Sequence, residues 1–247
     1  MFQSSLPSLV RLSRLRPLLL CLLLSLLPFS LAACSSEAGG QPLGCSAGSV
    51  PCLSGTAMVV LQTSRGEVQI SLDGAEAPLT AGNFVDLVNR RVYDNTSFHR
   101  VVRDPVPFVV QGGDPSSADP TVPAASYGMG SFLDPDSGAP RLIPLELKLR
   151  QPSEVIRYGQ PLTAAAQVRD LALRHERGAV AMARSSDPNS ASAQFYVALQ
   201  PLPELDGRYA VFGRVIRGME VIDRIQQGDR ILRARLVAGG TLVQAKP

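Results

Sequence analysis

The chain has 247 residues, enough for one large domain or two small ones, with 24 basic and 21 acidic side chains. The basic excess lies wholly in the first 33 positions, at Arg11, Arg14 and Arg16, so the remainder carries 21 charges of each sign. That balance removes the basic surface that a nucleic-acid partner would need.

The elements follow in chain order. After the three arginines, Leu18 to Leu27 is apolar apart from Ser25. This run is far shorter than the roughly 20 residues that span a bilayer. Leu31-Ala32-Ala33-Cys34 follows, with small residues at a cut site. Residues 1–33 therefore read as a secretory signal that is removed. The cut site resembles the lipobox of bacterial lipoproteins, which implies lipid on Cys34 and an anchor in a membrane. The expected location is exported, on the periplasmic side of the plasma membrane or in the outer membrane. Residues 34–56 are rich in Gly, Ser, Pro and Ala and read as a flexible tether. Within it, Cys45 and Cys52 either form a local disulfide, as an oxidising compartment allows, or remain free thiols. Only His99 and His175 could join them at a metal, and neither has ligand spacing, so no metal is expected.

From residue 57 the pattern changes. MVVLQT and EVQISL read as two strands joined by a turn at Ser64-Arg65-Gly66. Pro78 opens a helical pattern with Phe84, Leu87 and Val88 on one face, while Asn83 and Asn89 argue for a surface helix. SFHRVV and PFVVQGG read as two more strands. Residues 114–140, dense in Pro, Ser, Gly and Asp, suggest a long loop. RLIPLELKL reads as a strand that Pro144 confines to an edge or a bulge. GAVAMAR, QFYVAL, YAVFGRVI and ILRARLVA are further strand candidates, and Gly218 to Gln226 reads as a short helix. Many short strands with Gly- and Pro-rich connections point to a mostly β barrel or sandwich, between which the pattern does not choose.

FHRVV…FVVQGGD resembles the signature of the cyclophilin-type peptidyl-prolyl cis–trans isomerases. GAVAMARSSDPNSASAQFYVAL and LDGRYAVFGRVIRGMEVIDRI are similar to that family's second and third segments, in the family's order. The resemblance implies a closed eight-stranded antiparallel barrel capped by two helices over residues 57–247, with residues 114–178 as a decorating insertion. It also implies an isomerase acting on Xaa-Pro bonds of exported polypeptides, as a monomer and without a cofactor. The other reading is a proline-segment-binding chaperone or scaffold with little turnover.

The chemistry suits these residue types. Amide resonance sets a barrier of about 18–20 kcal/mol to rotation. A donor aimed at the prolyl nitrogen stabilises the twisted amide more than either planar form, and only such differential binding accelerates the step. By resemblance Arg100 is that catalytic donor, always charged and with its donors in a fixed fork. Phe108, Val109, Tyr196 and Leu205 are the expected apolar pocket for the proline ring, with Tyr209 beside them. Gln111 is expected to orient the arginine, and Ala183, Arg184, Ser185 and Gln194 to line the groove for the peptide before the proline. Phe98 and Phe195 are expected in the core, and His99 as a packing residue, because no proton moves. Gly112 and Gly113 suit a sharp turn, and without a Gly-Lys-Ser/Thr pattern this turn is not a phosphate loop.

Some positions depart from the family pattern. Three extra residues separate Arg100 from Phe108, so a register change would turn the arginine to the wrong face. Tyr209 stands where many members have histidine, and Arg184 where asparagine is common. Glu204 replaces a tryptophan that contacts cyclosporin, which implies weak binding of that drug.

Overall fold

The structure is a computed structural model that describes Cys45 and residues 50–150 and 155–244. The expected signal, residues 1–33, and the expected lipidation site, Cys34, lie outside the described residues.

The strands and helices in chain order are β1 (Cys52–Thr63), β2 (Gly66–Asp73), α1 (Pro78–Asn89), β3 (Thr96–Ser97), β4 (Arg100–Val101) and β5 (Val109–Gly112). There follow β6 (Glu146–Lys148), β7 (Ile156–Tyr158), α2 (Ala165–Arg169), β8 (Ala179–Met182), β9 (Phe195–Ala198), β10 (Val211–Arg217), α3 (Met219–Ile222) and β11 (Arg230–Val243).

β1 and β2 form the expected hairpin, with Thr63 opposite Gly66. β1 nevertheless starts at Cys52, inside the segment expected to be a tether. Cys52 and Leu53 are buried, and Cys45 is bonded to Cys52 as a disulfide. Close approach explains why this segment is held. A Cβ on Gly82 of α1 would lie 2.2 Å from the Pro51 carbonyl oxygen, so only glycine lets the helix seat against the start of β1.

One sheet carries the domain, in the order β3-β11-β1-β2-β10-β8-β9-β5-β4. It is a mostly β fold, but not the expected closed eight-stranded barrel: the hydrogen-bonded order is open and has nine strands. The two end strands, β3 and β4, are separated in the chain only by Phe98 and His99. The sheet therefore curls until its ends come together, and the chain makes the last link where no ladder does. Register shifts along the long β1–β11 pair, at Ser54/Ala57, Met58/Val59 and Gln62/Thr63, supply local bends.

α1 packs its Phe84 ring against Tyr93, Phe195 and Phe212, with centroids 4.9, 5.3 and 5.1 Å apart. This helix is not the half-exposed one that Asn83 suggested. Asn83 is fully buried and donates to the Ser192 carbonyl at 2.8 Å. A second layer covers it, made by residues between β5 and β8. Glu146 of β6 accepts from the amides of Leu79 (3.0 Å) and Thr80 (2.8 Å), capping a helix whose own Ala77 offers no side-chain cap. β6 pairs with β7, and Leu145, Leu147, Leu149, Leu162 and Leu171 form a small cluster of their own. The insertion is thus a packed layer with its own apolar contacts. β6 lies within the expected strand RLIPLELKL, whereas its partner β7 is only three residues long and has no comparable apolar run.

Candidate active site

Three adjacent strands divide their residues between two apolar clusters. Val110 of β5, Phe195 and Val197 of β9, and Val180 and Met182 of β8 face the main core. Their neighbours Val109, Tyr196, Ala198, Ala179 and Ala181 form a separate cluster, packed against Phe108, Leu205 and Tyr209. The period of two in a strand sends neighbours to opposite faces, so one face builds the core and the other a pocket floor. Phe195 points inward as expected, and so does Phe98.

The three extra residues do not shift the register. Arg100 stands opposite Gln111 and Val101 opposite Val110. Val102 then donates its amide to the Val109 carbonyl at 2.9 Å and accepts at its own carbonyl from the Phe108 amide at 3.0 Å. The added length is confined to residues 103–107, which include a cis Asp104–Pro105 bond. Arg103 ties this tip to the end of α3, donating to the Ile222 and Ile225 carbonyls at 3.0 and 2.9 Å.

Arg100 therefore reaches the outer face. It lines a pocket of about 250 Å³ with Phe108, Val109, Gln111, Ala183, Arg184, Tyr196, Leu205 and Tyr209. Its guanidinium lies 5.9 Å from the Phe108 ring centroid, over the ring. Arg100 Nη1 donates to Gln111 Oε1 at 3.4 Å, and Gln111 Nε2 donates to Gln194 Oε1 at 3.2 Å. Gln194 Nε2 in turn donates to the carbonyls of Gly128 (3.0 Å) and Gly130 (2.9 Å). Each amide is thereby oriented by the next, and the Gln111 oxygen is left facing the arginine. A second groove of about 370 Å³ adjoins this pocket and shares Gln111, Ala183 and Arg184 with it. Ser185 and Gln194 line that groove, so all the expected substrate-side residues converge on two joined depressions. A larger cleft of about 510 Å³, lined by Arg150, Arg174 and Arg214 among others, contains none of them.

Gly113 shows why the Gln-Gly-Gly turn is built as it is. Its φ is +84°, and a Cβ there would lie 2.8 Å from the Phe195 ring. The backbone turns away at this point and delivers Asp114, which the sequence reading passed over. Asp114 is fully buried and fastens the wall of the second groove, accepting from the amides of Gly128 (2.5 Å), Gly130 (3.1 Å) and Ser116 (2.9 Å). Burial opposes its charge, but hydrogen bonds from Ser116, Gly130 and Gly128 outweigh that and hold its pKa below the usual range. No local motif connects Asp114 to Gly128 and Gly130, which explains the miss.

His99 is half-buried beside the arginine, its Nε2 3.4 Å from Gln111 Nε2. Burial lowers its pKa, so it stays neutral near pH 7 and adds no charge next to Arg100. Arg184 stacks over Tyr209 at 4.6 Å and donates to the Arg208 carbonyl through Nε (3.0 Å) and Nη2 (2.6 Å). It forms a fixed cationic rim between the two depressions. Among the described residues, no cluster of His, Cys, Asp or Glu could hold a metal ion.

Comparison with known proteins agrees with this geometry. Residues 58–245 match the model of the cyclophilin type peptidyl-prolyl cis-trans isomerase family. The chain belongs to that family. A Synechocystis sp. protein named as a thylakoid lumen peptidyl-prolyl cis-trans isomerase is 37% identical over 200 residues, which are 77% of this chain and 49% of that protein. The chain thus spans about half the length of that relative. Peptidyl-prolyl cis-trans isomerase A of Dickeya dadantii is 34% identical over 174 residues, 68% of this chain and 70% of the relative. A Cryptosporidium parvum cyclophilin structure, 22% identical, superposes with a TM-score of 0.53 over 74% of this chain and 99% of its own. At that identity it speaks for the cyclophilin fold alone.

Proposed function

We propose that this cyclophilin rotates Xaa-Pro bonds of exported polypeptides by a non-covalent mechanism. The observation that carries the reading is Arg100 held by Gln111 at the mouth of the pocket floored by Phe108, Val109 and Tyr196. The proline ring packs against these apolar walls and stays fixed while the carbonyl on the other side of the bond swings. As the amide twists, its nitrogen becomes pyramidal and regains a lone pair. Arg100 donates to that lone pair and so stabilises the twisted form selectively, each ~1.4 kcal/mol of such preference giving about tenfold in rate. Ala183, Arg184, Ser185 and Gln194 receive the peptide before the proline. No covalent intermediate and no cofactor enters these steps.

An isomer-specific proline-peptide assay on the full chain, with Arg100→Ala beside it, tests the reading. Unchanged turnover in the folded variant would reject the arginine's role. Binding without turnover in the parent would point instead to a proline-binding scaffold.

The protein acts outside the cytoplasm, tethered as a monomer through lipid on Cys34. Supporting this are the leader pattern of residues 1–33 and the thylakoid-lumen name of the Synechocystis relative. No helix among the described residues is long and apolar enough to cross a membrane. Palmitate labelling that disappears in Cys34→Ala is the expected result.

A further inference from the structure

The pocket ring of Tyr196 ends in a hydroxyl, which an apolar wall does not need. That hydroxyl does not face the pocket. It lies 2.8 Å from Nε2 of His175, a buried histidine in the connection before β8. The Nδ1 of His175 lies 2.8 Å from Asp206 Oδ1, and the His175 backbone amide donates to the same oxygen at 2.9 Å. One carboxylate oxygen therefore holds His175 at both its backbone amide and its ring, and the Tyr196 hydroxyl meets the ring's other nitrogen. With Nδ1–H donating to Asp206, Nε2 accepts from the Tyr196 hydroxyl. Burial pushes the Tyr196 pKa well above the ordinary phenol value, so that hydroxyl keeps its proton.

The chain of contacts returns to the pocket at its other end. Asp206 follows Leu205, a pocket residue, and the Leu202 amide donates to the His175 carbonyl at 2.8 Å. Tyr209, another wall, meets Tyr196 edge to face at 5.9 Å. Tyr196 and the Leu205–Tyr209 wall are thus tied through His175, which stands 21 residues before the one and 31 before Asp206 of the other.

We infer that His175 and Asp206 are positioning residues that hold the Tyr196 ring in place as the wall against which the substrate proline packs. The inference rests on the isomerase reading for its substrate but concerns a link that the reading does not use. The core ring of Tyr93 also donates from its hydroxyl, to the Ala193 carbonyl at 3.0 Å, but it is enclosed by the Phe84 and Phe195 rings as well. A pocket ring has one open face, so packing alone leaves it free to tilt, and a hydrogen bond at its far tip fixes it.

The proline ring touches this wall in the planar and twisted states alike. Loosening the wall therefore weakens both equally and raises KM with little change in kcat. The full chain is compared with Tyr196→Phe, His175→Leu and the double variant, by kcat, KM and the Kd of an Ala-Pro-containing peptide. Each single variant is expected to raise KM and Kd roughly three- to tenfold, the loss of one hydrogen bond. The double variant is expected to be no worse than the poorer single, because one link cannot be cut twice. Lower thermal stability with unchanged KM and Kd, or additive losses in the double variant, overturns the inference. Should His175→Leu not fold, Tyr196→Phe, which removes a single oxygen, decides alone. A parent without turnover sinks the isomerase reading, while the Kd series still decides this one.

Discussion

Phe195 and Tyr196 are consecutive aromatic residues on one strand, and they are held by different means. Phe195 points inward, with Phe84 and Tyr93 set edge-on to it at 5.3 and 5.5 Å, and it forms no polar contact because its ring has none to offer. Tyr196 points outward, lines the pocket, stacks on the His175 ring at 5.9 Å and is tied at its tip to the same histidine. The inner face of the sheet is secured by close packing of large rings. The outer face carries the candidate pocket and groove and is secured by hydrogen bonds: Gln111 and Gln194 for Arg100, Asp114 for the groove wall, His175 for Tyr196. The core and the candidate site thus lie on opposite faces of the same strands.

Substitutions can break this division. Phe195→Ala should have the largest effect, a loss of about 3–5 kcal/mol in denaturant unfolding, because it opens a cavity beside the Phe84 and Tyr93 rings. Arg100→Ala should move unfolding by no more than about 0.5 kcal/mol, as its side chain is exposed. In the same variant kcat/KM should fall by about a hundredfold or more, a loss of roughly 2.7 kcal/mol in the transition state. A catalytic variant as unstable as Phe195→Ala would erase the distinction.

Asp114 sharpens the comparison, since it is buried yet serves the outer face. Asp114→Ala should cost about 1–3 kcal/mol, the range for losing charged hydrogen bonds. Its folded pKa is depressed, so the stability it adds is present above its unfolded value and lost as pH falls through the folded one. The parent should therefore lose stability on acidification more steeply than Asp114→Asn, measured by thermal melts across pH. Last and smallest, Arg65→Ala removes a partly exposed pair with Asp229 (2.6 Å) on neither functional face. It should leave the unfolding midpoint and turnover close to those of the parent, because solvent screens an exposed pair.

Much of this was legible in the chain itself. Alternation in QFYVAL assigned Phe195 and Tyr196 to opposite faces, and the FHRVV…FVVQGGD order brought Arg100, Phe108 and Gln111 to one site. Strand periodicity is local, and a motif carries its own spacing. The supports were less legible. Asn83 looked like a surface residue because nothing nearby in sequence shows that Ser192 and Arg141 will cover it. Residues 52–56 looked like a tether because their composition is that of a linker, whereas pairing with residues beyond Gly239 and the approach of Gly82 make them a strand.

By itself the sequence determined the alternation of the strands and the family, because each is encoded within a few neighbouring positions, and through the family resemblance it named the candidate pocket residues and the candidate donor. Only the tertiary structure decided that the extra residues after Arg100 fold into the hairpin tip, that the sheet's ends meet without a ladder, and that Asp114, His175 and Asp206 stand behind the site. Those outcomes depend on polar groups finding partners far along the chain, from 14 residues for Asp114 to 122 for Arg103, and which partner a buried donor or acceptor finds is settled by how the layers pack.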